Sequence, residues 1–191
     1  MRLEGSASPF GDPWLSGQGA GIGCAQSAPL RAPDVRYEPT PMDVVHAMLR
    51  LAKVSARDVV YDLGSGDGRV VTTAARRVGA RGVCVEIDPQ RLAESEENAR
   101  QAGIAELLEF RNEDLFATRI ADATVVALFL SPEINVAVRS RLVRDLKPGT
   151  RIVSHWHDMG DWTPEETVQI WSSGRERSLY LWTIPEPCPR P

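Results

Sequence analysis

Along the chain the spacing of apolar positions changes period several times, and each change marks an element. Residues 1–34 show no period. They hold six Gly, four Pro and four Ser, so 14 of 34 positions are turn or linker types and disorder is expected. From Tyr37 the pattern is dense. In "TPMDVVHAMLRLAKV", Val44, Val45, Met48, Leu49 and Ala52 fall on one helical face. Thr40 is the expected N-cap, Pro41 suits the first helical position and Asp43 completes an approximate capping box. "DVVYDL" is a short apolar strand. Gly68 to Val78 is a helix that Gly79 stops. "GVCVEI" is a second strand, and Asp88-Pro89 opens a helix reaching Gln101, with Gly103 beyond it. "LLEFRN" is a third strand. "ATVVALFL" is a fourth, apolar throughout, as a strand covered on both faces should be. A helix from Pro132 to Leu146 and a fifth strand in "KPGTRIVSHW" follow. "TVQIWS" and "SLYLWTI" read as two more strands joined by Ser173-Gly174-Arg175.

Strand–helix alternation ending in a strand pair predicts a mostly parallel α/β sheet with an antiparallel edge. The division is a disordered or leader-like segment (1–34), one folded domain (35–185) and a short tail (186–191). "GIGCAQSA" has a faint likeness to the end of an export signal, without the basic start and long apolar core a signal needs. A misassigned start and a decayed leader both stay open.

Of the 191 residues 22 are basic and 26 acidic, a net charge of -4, which argues against a nucleic-acid partner. No apolar run nears membrane-spanning length, so stable membrane insertion is not expected. Cys24, Cys84 and Cys188 sit at no metal-type or redox-type spacing. Cys84 reads as a buried thiol, and a reducing, cytoplasmic location is expected. Oligomeric state is not legible.

The chemistry is concentrated after the first strand, in Asp62-Leu63-Gly64-Ser65-Gly66-Asp67-Gly68. In open α/β sheets ligands bind at the carboxyl ends of the strands. The glycines let the backbone approach a ligand with no Cβ in the way. The spacing is G-x-G-x-G, not the G-x-G-x-x-G of dinucleotide sites. Asp62 and Asp67 would repel a pyrophosphate but suit an ammonium or a sulfonium. Glu86 ends the second strand about 20 residues past the glycines, where an acid can hold ribose hydroxyls. Asp114 follows the third strand, where it can accept from an adenine amino group. Ile87 and Leu115 adjoin these acids. Together these residues point to S-adenosylmethionine. The plain alternative is a helix N-terminus at Asp67, a solvated acid at Asp114 and ordinary turn glycines.

At these residues the sequence resembles the class I, seven-strand S-adenosylmethionine-dependent methyltransferases: "DLGSGDG", "VEID" and "NEDLF" stand in that family's order and spacing. The resemblance implies a Rossmann-like, doubly wound seven-stranded sheet of order 3-2-1-4-5-7-6, with strand 7 antiparallel. "YEPTP", "SPEIN" and "SHWHDMGDW" look like a narrower branch. It holds the archaeal broad-specificity protein lysine methyltransferase and mitochondrial lysine methyltransferases of inner-membrane proteins, among them the ATP synthase c-subunit lysine methyltransferases. In that branch the Tyr and Thr of "Y-x-P-T/S" line the methyl-donor pocket, which implicates Tyr37 and Thr40. The chain departs from the branch at Glu38 and in "FLSP".

The resemblance implies a protein-lysine acceptor. For that acceptor, candidate walls are Tyr37, Phe129, Trp156 and Trp162, and candidate charges are Glu38, Asp158 and Asp161. Of these Tyr37, Trp156 and Asp158 are the leading choices, each equally readable as packing or a solvated charge. His155 and His157, two apart, should face the same way on a strand. Their spacing to Asp158 does not match a metallohydrolase run, and no metal is expected. Asn135 reads as a polar contact or as a solvent-facing residue. Ser131-Pro132 stands where amino-group methyltransferases of planar nitrogens keep an Asn/Asp-Pro-Pro-aromatic run. From Glu86 to Asp114 nine acids stand against three arginines, a solvated face or an attraction for a lysine-rich substrate. A small-molecule methyltransferase and a non-catalytic cofactor-binding module are the rival readings.

Overall fold

A computed structural model describes residues 30–33 and 36–186. In chain order the elements are α1 (Met42–Leu51), β1 (Val59–Leu63), α2 (Arg69–Val78), β2 (Arg81–Glu86), α3 (Pro89–Gln101), β3 (Leu108–Asn112), β4 (Val125–Leu128), α4 (Pro132–Asp145), β5 (Arg151–His155), β6 (Glu166–Ser172) and β7 (Arg175–Thr183). One short 3-10 turn, Ala105–Leu107, was not foreseen. The expected disorder of 1–34 falls almost wholly outside the described residues, as do Cys24 and Cys188.

The sheet has seven strands in the order β3-β2-β1-β4-β5-β7-β6. The pairs from β3 across to β5 are parallel; β7 is antiparallel to β5, and β6 to β7. This is the order the family resemblance implied. Strand period two sorts the apolar residues onto two faces. Val60, Cys84, Val125, Ala127 and Val153 meet Val44, Met48, Val71 and Leu92 of α1, α2 and α3. Tyr61, Leu63, Val83, Val85, Val126, Leu128 and Ile152 meet Val138 and Leu142 of α4. Both faces are covered, which is why β1, β2 and β4 carry near-continuous apolar runs. β1 lies at the centre between β2 and β4, so the chain reverses direction across the sheet there. The carboxyl end of β1 is the switch point where such folds bind ligands.

Helix starts follow local chemistry in two cases and depart from expectation in one. Asp88 and Ser131 cap α3 and α4, each followed by a proline at the first helical position. α1 instead begins after Pro41 with no side-chain cap. Thr40 is not its N-cap, because the Thr40 hydroxyl is engaged by His155 across the fold. Asp43 accepts from the adjacent Val44 amide and from the Ser172 hydroxyl at 2.8 Å, so it ties α1 to β6 and completes no capping box. Between β6 and β7 the turn is Ser173-Gly174, both at positive φ; Arg175 already pairs with Ser172 in the ladder.

Candidate active site

The carboxyl ends of β1, β2 and β4 open into a cleft that, with the solvent at its open mouth included, encloses about 1040 Å³ of space. Its walls include Tyr37, Thr40, Asp62, Gly64, Ser65, Gly66, Asp67, Glu86, Ile87, Asp114 and Leu115, together with Phe129, Leu130 and Ile134. Of the residues expected at a cofactor site, Gly68 alone is set back from the cleft wall. It precedes α2 at φ +73, and its Cα backs onto Ser95.

Backbone hydrogen bonds set the shape of the loop. The amides of Gly64 and Ser65 both donate to the Val85 carbonyl, at 2.8 and 3.1 Å. The Gly66 amide donates to Glu86 Oε2 at 2.8 Å, and the Asp88 amide to Glu86 Oε1 at 3.0 Å. Asn112 of β3 donates to the carbonyls of Glu86 and Ile87 and fixes the exit of β2. Gly64 and Gly66 sit at φ +83 and +54; a Cβ on Gly66 would lie 2.5 Å from the Tyr37 ring. The glycines are therefore needed both for backbone conformation and for the close approach of Tyr37.

The carboxylates differ in state. Asp62 is buried. Burial first, then the charges of Glu86 and Asp67, push its pKa up to about 8. Asp67 carries a partner that the sequence did not indicate, the Arg69 guanidinium. Burial raises it, but Arg69 more than offsets this with hydrogen bonds, one at 2.8 Å, and with its charge, leaving the acid below its ordinary value. Arg69 also donates to the Thr40 carbonyl at 2.8 Å. Asp114 accepts from Arg31 at 2.6 Å and from the Phe116 amide at 2.8 Å; Arg31 above all holds it low. Arg91 stacks over the Tyr37 ring at 4.8 Å. Sequence reasoning missed Arg31, Arg69 and Arg91. Arg69 and Arg91 occupy polar helix positions and Arg31 lies in the aperiodic segment, so no pattern singled them out.

Beyond β5 the structure corrects the expected geometry. The His157 amide donates to the His155 carbonyl at 2.9 Å, closing a three-residue turn around Trp156 at φ +73. A γ-turn of this hand is rare and strained. It ends the strand, so the two histidines do not share a strand face. Asn135 does not face solvent; it is fully buried, with its amide nitrogen 3.0 Å from the His157 carbonyl and 3.2 Å from that of Asp158. Trp156 and Asp158 are not on the cleft wall. Trp156 lies under Arg175, 4.1 Å from ring centroid to guanidinium, and Arg175 pairs with Glu38 of the cleft at 2.9 Å. Asp158 is exposed and accepts from the Gly160 amide. The Trp162 carbonyl accepts from the Trp182 indole in the α4-side core, and Asp161 pairs with Arg139. Among the described residues no group of three or more His, Cys, Asp or Glu is arranged to hold a metal. None of the helices described there is long and apolar enough to cross a membrane.

The family model of the ANTKMT methyltransferase domain matches residues 62–166, from Asp62 at the end of β1 to the start of β6. The chain belongs to this family. A Saccharolobus islandicus relative named protein-lysine N-methyltransferase is 39% identical over 81% of this chain and 96% of its own length. The mouse adenine nucleotide translocase lysine N-methyltransferase is 31% identical over 59% of this chain, which spans 52% of that protein. A Salinibacter ruber crystal structure, described as an RNA methyltransferase in complex with S-adenosyl-L-homocysteine, superposes with a TM-score of 0.75. It is 51% identical over 81% of this chain and 98% of its own. The cofactor is S-adenosylmethionine, and the cleft's chemistry fits it. A glycine loop whose amides are already taken by Val85 and Glu86, a buried acid and a strand-end carboxylate suit a cationic, hydroxyl-bearing ligand better than a phosphate, which would need free amides. The protein is an S-adenosylmethionine-dependent methyltransferase.

Proposed function

We propose that the acceptor is the ε-amino group of a protein lysine. The observation that carries this reading is the likeness, over nearly its full length, to the Saccharolobus protein-lysine N-methyltransferase. The cleft is compatible with it. Aromatic Tyr37 and Phe129 stand with Glu38 at its wall, the residue types that receive an ammonium and orient the amine after proton loss.

Within this reading Glu86 and Asp114 hold the ribose and adenine ends of the cofactor, and Asp62, with Gly64, Ser65 and Gly66, holds the amino-acid end. Ile87 and Leu115 supply apolar contact, Tyr37 and Thr40 cover the site, and Asp67 serves through Arg69. Bound S-adenosylmethionine supplies an electrophilic methyl group on sulfur. The protein's part is to align the acceptor nitrogen in line with it and to exclude water; no nucleophilic side chain is required. Trp156, with Arg175 and Glu38, borders the entrance, and Asp158 lies on the adjacent exposed turn.

A second reading, an RNA acceptor, is favoured by the description of the Salinibacter structure. The net charge of -4 and the Ser-Pro-Glu-Ile run at residues 131–134, in place of Asn/Asp-Pro-Pro-aromatic, weigh against it. The deciding experiment uses S-adenosylmethionine with a tritiated methyl group, purified enzyme and a cell extract split into protein, RNA and small molecules. Label in protein that survives hot acid and base, and vanishes when lysines are blocked beforehand, supports the lysine acceptor. Label confined to RNA or to small molecules overturns it and keeps the methyltransferase.

A further inference from the structure

β5 ends on His155, whose side chain is fully buried. Its ring bridges two other parts of the fold. Nδ1 lies 3.3 Å from Thr40 Oγ1, and Nε2 lies 3.2 Å from Arg177 Nη1 on β7. A guanidinium has donors only. Nε2 is therefore the bare, accepting nitrogen, and the proton sits on Nδ1, donating to the Thr40 oxygen. Thr40 keeps its own hydroxyl hydrogen to donate elsewhere, and Thr40 lines the cleft. The His155 ring also packs against Phe129 of the cleft wall, centroids 4.1 Å apart.

We propose that His155 is a positioning residue. Locked in the Nδ1–H form by Arg177, it makes the Thr40 hydroxyl a donor toward the carboxylate of the cofactor's methionine moiety, and it seats the Phe129 ring beside the acceptor. This rests on the reading of the cleft as the cofactor site. His155 does not carry the acceptor's proton. Burial, then the charges of Arg177, His157 and Arg175 around it, hold the imidazole neutral, with a pKa pushed down to about 3. A ring protonated on both nitrogens would set an N–H against the Arg177 guanidinium.

Nitrogen-15 NMR of the wild-type protein tests the tautomer without a destabilising variant. The chain has three histidines, and His46→Gln and His157→Gln assign the signals. The expected result is a His155 ring protonated on Nδ1 and bare on Nε2, unchanged from about pH 5.5 to about pH 8. An Nε2–H ring, or titration near the ordinary histidine value, overturns the proposal. Calorimetry with S-adenosylhomocysteine tests the consequence, its stoichiometry reporting the folded fraction. Thr40→Val and His155→Phe should each weaken binding about tenfold, and the double variant should lose no more than either. His155→Asn, whose amide can still donate to Thr40, should recover most of the loss. If Thr40→Val weakens binding but His155→Phe binds like wild type, the His155 role falls and the site stands. If Thr40→Val and Glu86→Ala both bind like wild type, the cofactor-site reading falls, and this inference with it.

Discussion

The Glu86 carboxylate and the Gly66 amide meet at 2.8 Å, so the acid that ends β2 also braces the glycine loop that follows β1. Its other oxygen takes the Asp88 amide. Each oxygen keeps a lone pair for a ligand hydroxyl. Glu86→Ala removes the brace and the hydroxyl acceptor together. Affinity for S-adenosylhomocysteine should fall at least tenfold, about 1.4 kcal/mol or more. Glu86→Gln should lose less, since one amide oxygen can still accept from Gly66. Calorimetry on both variants checks this, and unchanged affinity in Glu86→Ala would remove Glu86 from the site.

Gly68 should behave as a folding residue. A Cβ there would overlap Ser95 Oγ and sit 2.9 Å from Ser95 Cβ, on a backbone already at φ +73. Gly68→Ala should destabilise the protein by roughly 1–3 kcal/mol, from left-handed strain and overpacking together. Adding Ser95→Ala should restore part of this, because only the hydroxyl clash is relieved. Urea denaturation measures the loss, and the folded fraction should keep its cofactor affinity.

Asp58 offers the opposite control, at the amino-terminal end of the strands. It accepts from Thr124 at 2.7 Å and from the Ser55 amide at 2.8 Å, and it pairs with Arg151. Burial raises its pKa, but these hydrogen bonds and the Arg151 charge leave it lowered overall. Its contribution to stability is therefore present above the ordinary carboxylate range and lost as pH falls through its depressed value. Asp58→Ala should cost about 1–3 kcal/mol at neutral pH and narrow the difference from wild type in acid. Cofactor affinity should not move. Thermal melts across the acid range decide it.

How much was legible in advance follows from which residues obey a period. The apolar runs of β1, β2 and β4 and the Asp88-Pro89 and Ser131-Pro132 starts are local signals, and the elements form where these place them. The residues around the cleft were legible because Asp62 and Glu86 stand at the carboxyl ends of β1 and β2, and Asp114 just beyond β3, in a fold that gathers strand ends. Thr40 misled because a hydroxyl before a helix has a local use, and only the tertiary fold shows that His155 claims it. The parity of His155 and His157 failed for a similar reason. A positive φ at Trp156 has no sequence signature in a non-glycine residue, and it ended the alternation one residue early. For Asn135 the sequence left a polar contact and a solvent-facing position both open; the first holds, and its partners could not be named because they are the carbonyls that the Trp156 turn presents.

Asp62 makes the cleft sensitive to pH in a direction that can be stated. Its folded value of about 8 stands above the ordinary 3.8, so the ligand-free folded protein holds a proton there at neutral pH that the unfolded chain releases. The stability linked to that proton is present in full below the ordinary value and is lost as pH rises through about 8. The melting temperature of the ligand-free protein should therefore fall more steeply toward alkaline pH in wild type than in Asp62→Asn. A cationic ligand beside Asp62 reverses the preference and favours the carboxylate. Binding should then release a proton, and affinity for S-adenosylmethionine should rise by up to about tenfold per pH unit until Asp62 is ionised. The ligand's own amino group titrates in the same region, so wild type must be compared with Asp62→Asn in two buffers of different protonation heat. A proton released by wild type and not by the variant assigns it to Asp62. Equal release from both assigns it to the ligand and leaves Asp62 as a neutral acid buried beneath the loop.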